Sequence, residues 1–152
     1  MTIQVRRVVT GHDDQGKAIV TYDEISDNAI SKREGQSGTV IWTTNRSPAD
    51  NTGDSDEAKR PVDASLPKGS TFRIIEYLPG VAPRNHRTDT IDYAVVMSGE
   101  IDMGMDDTTV HLKAGDVLVQ RGTIHNWINN GTEPCIIAFV LIDADPVLDA
   151  EG

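Results

Sequence analysis

GVAPRNHRTDTIDYAVVMSG, residues 80–99, and GDVLVQRGTIHNWIN, residues 115–129, decide how this chain folds. Each joins turn-forming residues to a short apolar run that alternates, the pattern of a half-buried strand. The first puts His86 and Asp92 on a loop-to-strand segment, with Asp92 inside IDYAVVM, and closes on Gly99. The second puts His125 at the head of IHNWI and runs into the turn-prone Asn129-Asn130-Gly131. Successive side chains of a strand point to opposite faces. His86, Thr88 and Asp92 therefore have one parity, and so do His125, Trp127 and Asn129.

Outward from these stretches nearly every ordered segment reads as strand. TFRIIEYL, EIDMGM, TVHLK, DVLVQ and CIIAFVLI follow at short spacing, with turns such as MDDTT, KAGD and NNGTEP between them. Nearer the N-terminus, VRRVV and AIVTY flank GHDDQGK as a hairpin, and GTVIWTT is a further strand. Residues 45–68 are polar and proline-bearing, which predicts a long surface loop that covers the site or wraps a neighbour. AISKRE (residues 29–34) and the tail DPVLDAEG (residues 145–152) are each expected to form a short helical turn. Many short strands without a helical stripe favour an antiparallel double sheet or jelly roll.

At 152 residues the chain is expected to form one domain with a sizeable core. A formal charge of −10 without clustered Lys or Arg argues against nucleic acid. Cys135, the lone cysteine, lies in CIIAFVLI and reads as a buried small hydrophobe. No apolar run is long enough to span a bilayer and the first residues lack a signal-peptide pattern, so the expectation is a cytoplasmic protein without membrane contact.

Together the two stretches resemble the signature motifs of the cupin family. The first motif, G-x5-H-x-H-x3-E-x6-G, is matched by Gly80, His86, Thr88, Asp92 and Gly99, with Thr88 in place of the second histidine and Asp92 in place of glutamate. The second, G-x5-P-x-G-x2-H-x3-N, is matched by Gly115, His125 and Asn129, with Arg121 replacing the proline and one residue missing before the histidine. The resemblance implies an all-β fold, a double-stranded β-helix (jelly-roll barrel) over residues 70–145. Residues 1–69 would add an N-terminal β-hairpin and loop packed on or swapped with the barrel, and 146–152 a tail.

The resemblance also implies that the two motifs meet inside the barrel, where His86, Asp92 and His125 would be catalytic. These three could hold a divalent metal (iron, zinc or manganese), since two imidazoles and a carboxylate suit such ions. Without metal, a His-Asp pair can move protons beside a carbonyl. Trp42, Glu76, Arg84, Thr88 and Trp127 are candidates for substrate contact. Three functions follow as expectations: a lyase or dehydratase, or an isomerase, with or without a divalent metal; an iron(II) dioxygenase; or a non-catalytic small-molecule binder. No organic cofactor is expected. Because a lone hairpin is marginally stable, the first two strands are expected to pair across a homodimer, burying Val8, Val9, Ile19 and Val20.

Overall fold

The computed structural model describes residues 4–147, and they form eleven β-strands and one 3-10 turn. The first strands are β1 (Arg6–His12), β2 (Ala18–Ile25), β3 (Ala29–Arg33) and β4 (Gln36–Thr44). Then come β5 (Ser70–Tyr77), β6 (Thr90–Ser98), β7 (Glu100–Gly104) and β8 (Thr109–Lys113). The last are β9 (Val117–Arg121), β10 (Asn126–Ile128) and β11 (Cys135–Asp143). One sheet runs β3-β4-β5-β11-β6-β9 and a second runs β10-β7-β8, while β1 and β2 pair only with each other. The fold is the double-stranded β-helix expected from the sequence, with the hairpin as an appendage.

Alternation explains the packing. On β6, Thr90, Asp92, Ala94 and Val96 are buried, while Tyr93, Val95 and Met97 face solvent. Inward positions of neighbouring strands meet in rows, because directly opposed residues of an antiparallel pair share a face. Arg73, Phe139, Ala94 and Leu118 form one such row across β5, β11, β6 and β9. Thr71, Leu141, Asp92 and Gln120 form the next. Farther along the same strands, Ile75, Tyr77, Val96 and Ile137 join Trp127 and Ile101 in the apolar core. Gly99 makes the β6–β7 turn at φ 75°, where a Cβ would stand 2.3 Å from the Pro134 carbonyl oxygen. Only glycine fits a position that combines this backbone region with so close an approach.

Two expectations are corrected here. AISKRE is no helical turn: Ala29–Arg33 is β3, because pairing with β4 overrides weak local preference. Residues 45–68 are not a bare loop, since Glu57–Lys59 forms a 3-10 turn capped by Asp56, with Ala58 buried. Of the tail, Asp145–Val147 is not helical and residues 148–152 lie outside the described residues. The hairpin stays on its own chain through Arg7, whose guanidinium takes Asp56 with two bonds of 2.8 and 2.7 Å and Glu24 at 2.6 Å. Cys135 is fully buried and its thiol is pushed up to about 11 by that burial, so it is an inert packing group.

Candidate functional site

His86 and His125 are brought together by the backbone. They form an isolated antiparallel bridge in which each N–H donates to the other's carbonyl at 3.0 Å. Side chains of such a pair emerge on one face, and the two ring centres lie 4.3 Å apart. The frame is closed next to it, where Gly80 N–H donates to the Asn129 carbonyl at 2.9 Å. Asn129 serves the turn: its Nδ2 donates to the carbonyls of Tyr77 and Glu133, and its Oδ1 accepts from Gly131 N–H, each at 3.0 Å.

Both rings are oriented through Nδ1. That of His86 lies 3.0 Å from the Arg84 carbonyl, and that of His125 lies 2.9 Å from the Thr123 carbonyl. A carbonyl can only accept, so each Nδ1 carries a proton. The Gln120 carboxamide lies 2.5 Å from the same His125 nitrogen through Nε2, while its Oε1 is buried without a partner. Turning the amide end for end lets Oε1 accept from the Nδ1–H, a proton it then shares with the Thr123 carbonyl. Burial, with His86 adding to it, pushes His125 down to about 4, against a smaller upward pull from the Thr123 carbonyl. His125 is therefore a neutral imidazole with an available Nε2 at neutral pH.

Asp92 is held differently. Thr88 Oγ1 and Thr90 Oγ1 are 2.8 Å apart, and Thr90 donates to Asp92 Oδ1 at 2.6 Å. Burial raises the carboxyl above the usual carboxylate range, opposed by the Thr90 bond and by the charge of Arg73. No hydrogen bond joins Asp92 to either histidine among the described residues, so the expected His-Asp contact is corrected. Backbone carbonyls, rather than a carboxylate, orient the two rings. Nor are three His, Cys, Asp or Glu side chains grouped so as to hold a metal ion among the described residues. The trio His86, Asp92 and His125 thus presents two adjacent imidazoles and a carboxylate set apart, a poor fit to the expected ligand set.

The candidates for substrate contact separate. Trp127 is buried among Tyr77, His125 and Phe139, with ring centres 5.7, 5.8 and 5.8 Å away. It packs against His125 as a member of the apolar core. Trp42 does not join it: a bulge places it opposite Phe72, on the β5 face turned away from Arg73 and Ile75. Glu76 is buried, yet alternation sets it on that same outer face of β5. Arg84 is exposed and contributes its carbonyl, and Thr88 contributes the hydroxyl that begins the chain to Asp92. His12, at the end of β1, and His111, on β8, are exposed and lie apart from this site.

Three inward groups escaped sequence reasoning: Arg73, Thr90 and Gln120. Their parity was visible, since Arg73 alternates with Ile75 and Gln120 with Leu118, but one strand's parity does not say which face closes. Thr90 and Gln120 also line a groove of about 770 Å³ whose apolar side is built from Met103, Met105, Leu118 and Val147. Gln120 and Thr123, both in that wall, are the groups that hold His125.

A jelly-roll barrel with paired histidines from two glycine-framed motifs defines a small-molecule cup. Residues 73–142 match the Cupin domain family Cupin_2. The chain is 36% identical over 152 residues to the cupin-domain-containing oxidoreductase fogC of Aspergillus ruber, covering 95% of this chain and 75% of that protein. It is 37% identical over 152 residues to phomopsin biosynthesis cluster protein C' of Diaporthe leptostromiformis, covering 93% and 79% respectively. A solved protein with a double-stranded beta-helix domain from Klebsiella pneumoniae superposes with a TM-score of 0.53 at 20% identity, over 78% of this chain and 86% of that one. This protein belongs to the cupin family. No helix among its described residues is long and apolar enough to cross a membrane.

Proposed function

We propose that this cupin is an enzyme acting on a small, partly apolar oxygenated molecule by proton transfer, as a lyase, dehydratase or isomerase. The observation that carries this reading is the neutral His125, with its tautomer locked by Thr123 and its Nε2 free. Such a nitrogen accepts a proton from the carbon beside a carbonyl, and Asp92, whose proton burial helps retain, returns one to a departing hydroxyl as water. The groove supplies the apolar contact, and Gln120 brings its floor within one side chain of the base.

The test joins two measurements. Proton NMR should show the His125 ring neutral down to about pH 4. A depressed folded value also means that its contribution to stability is present above the ordinary histidine range and lost as pH falls toward 4. A panel of β-hydroxy ketones and β-hydroxy acids in D2O should then reveal water loss or deuterium uptake, reduced about 10²- to 10⁴-fold in His125→Gln. Titration of His125 near pH 6.5, or a variant as active as the parent, would sink this reading. A second reading, oxidoreductase, is favoured by the description of the Aspergillus relative. Substrate-dependent dioxygen uptake with bound iron would select it.

We also propose that two copies pair through the hairpin. Val8, Ile19, Val20 and Ile25 are exposed on a two-stranded sheet that joins no other sheet of its own chain. Val9, expected among the paired residues, is already half-buried within the chain. Light scattering should give twice the chain mass, and Val8→Lys with Val20→Lys should give the single chain. A monomeric parent contradicts the pairing.

A further inference from the structure

Among the described residues, Arg73 is the inward-facing cation of the barrel's polar rows. It stands on β5 in the row with Phe139, Ala94 and Leu118, next to the row of Asp92 and Gln120. It donates no hydrogen bond and makes no ion pair with any described residue, and its Nε is buried without an acceptor. Burial lowers its pKa, and the carboxyl of Asp92 opposes that shift without bonding to it. A guanidinium keeps its charge under such conditions, so desolvation without a partner is a standing cost of the fold. Arg7, also buried, is matched differently: it meets two carboxylates at 2.7 and 2.6 Å.

An unpaired fork of N–H donors turned into a lumen is what a planar oxyanion requires. Beside it, Ile30, Gln36, Ser37 and Ile75 leave a small void of about 20 Å³ against Arg73, enough for one water to stand in for a ligand oxygen. We propose that Arg73 is the anion-binding residue of this site, and that the molecule the protein takes is a carboxylate with an apolar body. The carboxylate meets the guanidinium, and the body lies along the row of Phe139 and Ala94 toward Leu118, which lines the groove. This deepens the proton-transfer reading above and rests on it for calling the ligand a substrate. A carboxylate paired with Arg73 also places its α-carbon inside the polar rows, where Asp92 and Gln120 stand.

Benzoate is the probe, benzamide its uncharged counterpart and inorganic phosphate the competing oxyanion. Calorimetry and ring-proton shifts should show benzoate bound by the parent chain at millimolar concentration, and benzamide and phosphate bound more weakly. Arg73→Met should weaken benzoate about thirtyfold or more while leaving benzamide unchanged, because a charge-assisted bond has been removed. Arg73→Lys should recover part of the loss. Without ligand, Arg73→Met should melt at the same temperature as the parent or higher, since an unpaired buried charge is gone. Benzoate binding that is absent in the parent, or unchanged in Arg73→Met, overturns the proposal; so does a large fall in melting temperature, which marks a structural role. Preference for phosphate overturns the carboxylate assignment. His125→Gln should bind benzoate as the parent does, so loss of its turnover with intact binding separates failure of the chemistry from failure of the anion site.

Discussion

Trp127→Ala is expected to lower the unfolding free energy by about 3–5 kcal/mol, among the largest single effects available in this chain. The indole is 6% exposed and touches three aromatic rings, Tyr77, His125 and Phe139. Truncation removes its burial and leaves a cavity that the β10 and β7 backbones, paired at Trp127 and Met103, hold open. The same change frees the His125 ring on one side, so proton transfer should fall together with stability. Trp127→Phe should recover most of the stability, because it refills much of the volume. Urea unfolding followed by far-ultraviolet circular dichroism measures this, and a loss below about 1 kcal/mol would mean that the indole is not a core member.

Arg7→Met is expected to release the hairpin at a cost of about 3–5 kcal/mol to its docking, the range for removing one partner of a buried ion pair. The Arg7 side chain is fully buried, whereas Asp56 is only 14% exposed and would keep its charge without a partner. Its guanidinium also lies over the Tyr22 ring, 4.9 Å from the centroid, so packing within the hairpin is lost as well. Because β1 and β2 pair only with each other, the barrel should keep its own melting transition. Hydrogen exchange provides the readout: amides of Arg6–His12 and Ala18–Ile25 should lose protection while those of β11 keep theirs. The pH dependence has a definite sign. Arg7 holds Asp56 below the usual carboxylate range, so the docking free energy is present above the ordinary aspartate value of 3.8 and is lost as pH falls through the lowered one. Retained protection in Arg7→Met would show that apolar contact, not the ion pair, fixes the hairpin.

Much of the fold was legible because strand alternation and turn chemistry are local. The runs TFRIIEYL, IDYAVVM and CIIAFVLI each appear as strands within a residue or two of their expected ends. AISKRE was misread because six residues carry too short a pattern to separate one helical turn from an edge strand, and only β4 decides between them. The histidines were legible as well. Their glycine frames survive, and the rings stand side by side as the two motifs implied.

The rest of the site belongs to the tertiary structure. Trp42 and Glu76 looked as eligible as Trp127, since the sequence records parity along one strand but not which side the barrel closes on. A bulge between Val40 and Trp42 then shifts that parity, and nothing in GTVIWTT announces it. Asp92 looked like a partner for a histidine, but Thr90, two residues away on the same strand face, takes its oxygen instead. Arg73 was passed over because a charged residue in an alternating strand reads as solvent-facing. It turns inward because its neighbours across the sheet, Val40 and Phe139, are themselves inward-facing. The sequence by itself determined the strands, the turns and the pair of motif histidines, all set by interactions between residues close in the chain. Which polar groups share the lumen, and which of them are left without partners, was decided only by cross-strand register, a property of residues tens of positions apart.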